Sequence, residues 1–71
     1  MEKRISAKGI EFYVFTVDEL RDADDHNEGF CIACGESAYG VEPDAQQYEC
    51  ESCGKRRVYG AGELAIRGFI V

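Results

Sequence analysis

The chain contains the pattern Cys-x-x-Cys-Gly twice, as Cys31-Ile32-Ala33-Cys34-Gly35 and as Cys50-Glu51-Ser52-Cys53-Gly54. Fifteen residues lie between Cys34 and Cys50. This spacing constrains the fold more than any other feature. Two residues between cysteines let one tight turn aim two thiolates at a single ion, about 2.3 Å from each sulfur. The glycine after each pair permits a positive φ, so that backbone N–H groups turn toward the sulfurs. The connection between the pairs is long enough for a two-stranded hairpin that returns the second pair beside the first. The pattern predicts one zinc ion in a closed tetrahedral site made by Cys31, Cys34, Cys50 and Cys53.

Such a metal has an energetic role in a chain of 71 residues. Ordering a chain this short costs roughly 100 kcal/mol, nearly all of what its core can return. Structural zinc contributes about 10–16 kcal/mol at neutral pH. That is comparable to the entire net stability of an ordinary domain. The alternative, two disulfides, needs an oxidising compartment. The apolar stretch 10–17 follows Met1-Glu2-Lys3-Arg4, but Glu11 interrupts it and Asp18-Glu19 ends it. No small-residue cleavage site follows, and no window has the length of a membrane span. The expected location is therefore the cytoplasm, where thiols stay reduced, and no membrane partner is expected.

The remaining sequence reads as one domain in three parts, residues 1–28, 29–60 and 61–71. Residues 1–8 are polar and read as a frayed lead. Residues 9–17 are rich in β-branched and aromatic types and read as a strand with apolar side chains on both faces. Thr16-Val17-Asp18-Glu19 is a capping box, which predicts a short helix over 18–23 with Leu20 and Ala23 inward. A polar loop around His26 leads into the cysteine unit. There, strands are expected over 38–42, 47–50 and 55–59, with a turn at Pro43-Asp44-Ala45. Gly60-Ala61-Gly62 reads as a breaker, 63–67 as a helical turn and Phe69-Ile70-Val71 as an apolar tail. The fold class is a small, metal-stabilised, β-rich domain of zinc-ribbon type, with an N-terminal strand and short helical turns.

Charge narrows the function. Fourteen acidic residues against eight basic ones leave a net charge of −6, which argues against a generic nucleic-acid coat. The one basic run is Lys55-Arg56-Arg57. With Tyr48 and Tyr59 it is the candidate contact for nucleic acid or for a protein partner. Four cysteines fill four metal positions, and His26 has no nucleophile at a recognisable spacing. No catalysis and no small-molecule substrate are expected.

Gly29-Phe30-Cys31-Ile32-Ala33-Cys34-Gly35, Gly40-Val41-Glu42-Pro43-Asp44-Ala45, Tyr48-Glu49-Cys50-Glu51-Ser52-Cys53-Gly54 and Val58-Tyr59-Gly60-Ala61 occur in this order. Over residues 29–64 the chain resembles a group of small uncharacterised zinc-ribbon proteins of bacteria and their phages or prophages. The resemblance implies a metal-binding ribbon and no reaction. The N-terminal strand lies outside it. Three functions are then expected in turn: an adaptor that binds another protein, a nucleic-acid-binding ribbon using Lys55, Arg56 and Arg57, and a rubredoxin-like iron carrier. The last has a poorer match, because its spacing is usually longer and carries a proline inside each cysteine pair.

Overall fold

The structure, a computed structural model, describes all 71 residues. It contains two small antiparallel sheets and two short helices. Strand β1 (Glu2–Ile5) pairs with β2 (Glu11–Val14). Helix α1 spans Val17–Asp25, and β3 (Glu28–Cys31) follows it. Strands β4 (Ser37–Tyr39) and β5 (Val58–Gly60) flank β3 in the order β4-β3-β5. Helix α2 (Ala61–Ile66) ends the regular structure.

The N-terminal lead is therefore a strand. Ser6 and Gly9 close the turn, with Gly9 N–H donating to the Ser6 carbonyl at 2.9 Å and φ of +81° at Gly9. Lys3 pairs with Glu11 across the ladder at 2.8 Å. All four β1 side chains are exposed, so no burial pattern marks this strand in the sequence.

Helix α1 begins as its capping box directs. The Thr16 hydroxyl accepts from the Glu19 N–H at 3.1 Å, and a Glu19 carboxylate oxygen accepts from the Thr16 N–H at 3.0 Å. Two orphan amides are thereby satisfied. Leu20 and Ala23 face inward and are buried. The helix runs two residues beyond the expected end, and His26 caps it. The His26 ring sits 2.8 Å from the Asp22 carbonyl, a bond that holds its pKa above the usual histidine value.

The expected hairpin between 38–42 and 47–50 does not form. Gln47 has φ of +53°, a conformation outside the strand region, and only a single bridge joins Tyr48 to Val58. Strand β4, just after the first cysteine pair, instead pairs with β3, which ends on Cys31. The turn around Pro43 is present, with Ala45 N–H donating to the Glu42 carbonyl at 3.0 Å.

The expected break at residues 60–62 is the start of α2, with Gly60 as its N-cap. The two glycines are needed for a close approach rather than for flexibility. A Cβ at Gly60 would run into the Glu42 carbonyl, and one at Gly62 would lie 3.0 Å from the Pro43 carbonyl oxygen. Glu63 N–H donates to that same Pro43 carbonyl at 2.8 Å.

Strands β3 and β5 form a wall between two apolar clusters. Phe30 and Tyr59 face each other in register, as do Cys31 and Val58. Side chains alternate across a strand. On one side Phe15, Leu20, Ala23, Ile32, Tyr59, Ala61 and Leu64 form the larger cluster, with Phe30 against it. On the other, Cys31, Val58, Val41, Ala45 and Cys50 form the smaller one. The apolar tail returns to the residue just after β2, where Phe15 N–H donates to the Phe69 carbonyl at 3.0 Å and Val71 N–H to the Phe15 carbonyl at 2.9 Å. No helix is long and apolar enough to cross a membrane.

Candidate metal centre

Each cysteine pair is built by the same short set of backbone bonds. Gly35 N–H donates to the Cys31 carbonyl at 2.7 Å, and Gly54 N–H to the Cys50 carbonyl at 2.8 Å. Cys31 N–H donates to the Glu36 carbonyl and Cys50 N–H to the Lys55 carbonyl, both at 2.9 Å. Gly35 and Gly54 have φ of +82° and +77°. The glycines thus hold the positive φ that the sequence requires of them.

The four sulfurs converge, all lying within 4.8 Å of one another. Cys31 Sγ is 3.7 Å from Cys53 Sγ, and Cys34 Sγ is 3.6 Å from Cys50 Sγ. A tetrahedron with metal–sulfur bonds of about 2.3 Å has sulfur–sulfur edges of about 3.8 Å. The donor set therefore fits one metal ion with four sulfur ligands. All four cysteines are free thiols. Cys31 and Cys50 are buried, Cys34 is half-buried and Cys53 is exposed, so the cluster opens toward the surface on its Cys53 side.

The metal-free thiols differ in acidity. Burial pushes Cys31 up to about 12, against the pull of the Cys34 and Ala33 amides. Burial also raises Cys34. The Cys53 amide, together with that of Ser52, brings Cys50 down to about 7. Backbone donors aimed at a sulfur stabilise its thiolate. The same donors offset the negative charge that four thiolates bring to a divalent ion.

The basic run Lys55-Arg56-Arg57 is not a strand. Its backbone serves the two knuckles: the Lys55 carbonyl closes the second, and the Arg57 carbonyl accepts from Ile32 N–H, inside the first, at 2.9 Å. The three side chains are left exposed. They line a cleft of about 620 Å³ whose apolar surface comes from Ile10, Phe12, Ile32, Ala33 and Phe69.

The two tyrosines do not join them. Tyr59 is buried at 2% exposure, and the Arg67 guanidinium lies over its ring at 5.0 Å, so it is part of the core and not a contact surface. Tyr48 is exposed but belongs to a second cleft, lined also by Glu36, Tyr39, Glu49 and Glu51. Its hydroxyl donates to a Glu42 carboxylate oxygen at 2.5 Å. The apolar cleft residues beside the basic run had only weak sequence signals. Ile10 and Phe12 share a strand face, and Phe69 belongs to the apolar tail, but nothing local says that these meet.

Fold and site together describe a small β-rich protein with a four-cysteine metal-binding arrangement. Comparison with protein-family models, with curated proteins and with solved structures finds no match to this chain.

Proposed function

We propose that the protein is a structural-zinc adaptor of zinc-ribbon type that binds another macromolecule, a protein, and catalyses nothing. The observation that carries this reading is the convergence of four thiols within 4.8 Å of one another. Four sulfur ligands complete the tetrahedral shell of zinc and leave no position for water or substrate. Zinc is the natural occupant of an all-cysteine tetrahedral set, with iron as the other. The ion's contribution is then to hold the two knuckles, and with them the exposed residues between and after them.

Metal analysis by native mass spectrometry tests the first half. One zinc per chain is expected, and a red, iron-loaded protein would move the reading to a rubredoxin-like electron carrier. Covalent cross-linking in the source cell, followed by identification of the joined peptides, tests the second half. A defined protein attached at reproducible positions is expected.

The second reading is a nucleic-acid-binding ribbon. The exposed side chains of Lys55, Arg56 and Arg57, side by side, favour it. Binding of DNA or RNA that weakens with salt and is lost in the Lys55, Arg56, Arg57 triple alanine would establish it.

A further inference from the structure

We infer that the cleft between the N-terminal hairpin and the two knuckles is a docking groove for a short acidic peptide segment with an apolar anchor residue. This rests on the protein-binding reading above and names the partner's chemistry.

The floor of the groove is apolar. Ile10 is 61% exposed there and adjoins other apolar side chains of the cleft, so it belongs to a contiguous apolar patch rather than standing alone. Phe12 and Phe69 meet edge to face beside it, with ring centroids 5.8 Å apart. Ile32 and Ala33, from the first knuckle, complete the apolar lining.

The rim is basic. Lys55, Arg56 and Arg57 make no ion pair, which is also true of the isolated Lys8 and Arg21, whereas Lys3, Arg4 and Arg67 each hold a carboxylate. The one acid on the groove, Glu11, is already paired with Lys3. Three adjacent cations without counter-charges, in a chain of net charge −6, mark this side as complementary to an acidic ligand. The backbone of the run is fixed to both knuckles through the Lys55 and Arg57 carbonyls. The backbone from which the three side chains project is thus fixed before any partner arrives, so only the side chains need ordering on binding.

The groove favours peptide over nucleic acid. Bases need exposed aromatic faces on which to stack. The two tyrosines nearest in sequence do not supply them, since Tyr59 is buried and Tyr48 lines the other cleft. An apolar floor of aliphatic and aromatic side chains with a three-cation rim accepts one apolar side chain flanked by carboxylates.

The test is selection of random short peptides displayed on phage against the intact zinc-loaded chain, followed by mapping of the winners by 15N–1H chemical shifts. Winners should carry an apolar residue flanked by Asp or Glu, and shifts should concentrate at Ile10, Phe12, Ile32, Ala33 and residues 55–57. The Lys55, Arg56, Arg57 triple alanine should weaken binding about tenfold, as expected of several exposed charge pairs acting together. Ile10→Ser should weaken it as well. Both variants change exposed side chains only, and retained zinc and an unchanged spectrum elsewhere confirm the fold.

Winners that are basic, or that map to the Tyr39 and Tyr48 cleft, would overturn the groove assignment while leaving the adaptor reading intact. A peptide-free chain that dimerises, with dilution shifting the same groove residues, would identify a second copy as the occupant and overturn the proposal. Failure of every peptide, with tight binding of oligothymidylate that the triple alanine abolishes, would overturn both readings in favour of nucleic acid.

Discussion

The Tyr13 backbone N–H donates to the Ile32 carbonyl oxygen at 2.9 Å. One hydrogen bond thereby ties β2 to the first cysteine turn, where Ile32 lies between the candidate ligands Cys31 and Cys34. Ile32 is bonded on both flanks, because its own N–H donates to Arg57 just after the second turn. The N-terminal hairpin, the first knuckle and the return from the second knuckle are therefore in direct backbone contact. Phe15 extends this union into the core, fully buried and stacked on Phe30 with ring centroids 4.5 Å apart.

Phe15→Ala should destabilise the zinc-loaded chain by about 3–5 kcal/mol, the range for emptying a buried aromatic site. Urea unfolding followed by circular dichroism measures this. An unchanged midpoint would mean that the Phe15 ring is not packed in the core.

Replacing Cys50 by Ser should abolish tight zinc binding and unfold the smaller apolar cluster, since Cys50 belongs to both. The readouts are zinc content by native mass spectrometry and the melting transition. A Cys50→Ser chain that melts as before would show that the metal is not structural.

Zinc affinity should depend on pH with a change of slope near 7. Cys31, held at about 12, is protonated in the metal-free chain throughout the neutral range, so loading always expels its proton. Cys50, at about 7, carries a proton to be expelled only below that pH. Acidification through 7 therefore adds one more released proton, and apparent affinity should fall more steeply on the acid side. Competition with a chromophoric chelator at a series of pH values measures the slope. A constant slope across pH 7 would show that no thiol of the metal-free set titrates there.

Gly60→Ala should cost about 1–3 kcal/mol through overpacking against the Glu42 carbonyl and Pro43. The four cysteines are untouched, so zinc stoichiometry should stay at one while the melting temperature falls. Equal melting temperatures would show that the α2 start and the Pro43 turn do not pack closely.

Thr16→Ala removes one half of the capping box and should cost about 1 kcal/mol. A Thr16→Ser control keeps the hydroxyl and should restore most of the loss. Thermal melts of the pair distinguish capping from lost methyl packing.

The sequence by itself determined the features closed by bonds within a few residues. Both knuckles, the positive φ of Gly35 and Gly54, the turn from Glu42 to Ala45 and the Thr16–Glu19 box all satisfy their backbone groups locally, so residue type and spacing suffice to read them. The inward faces of Leu20 and Ala23 follow from helical periodicity in the same way. Only the tertiary structure decided which strands pair. β1 is exposed at every position and carries no periodic signal, and it becomes a strand because β2 offers it a ladder. β4 pairs with β3 rather than with residues 47–50, because Gln47 turns the chain out of extended geometry. Tyr59, which reads as a contact residue beside three cations, lies in the core because β5 alternates and its odd face meets Phe30. The groove of Ile10, Phe12, Ile32 and Phe69 joins segments far apart in the chain. Such meetings are settled by which apolar surfaces bury one another, a property of the whole packing arrangement that no local pattern records.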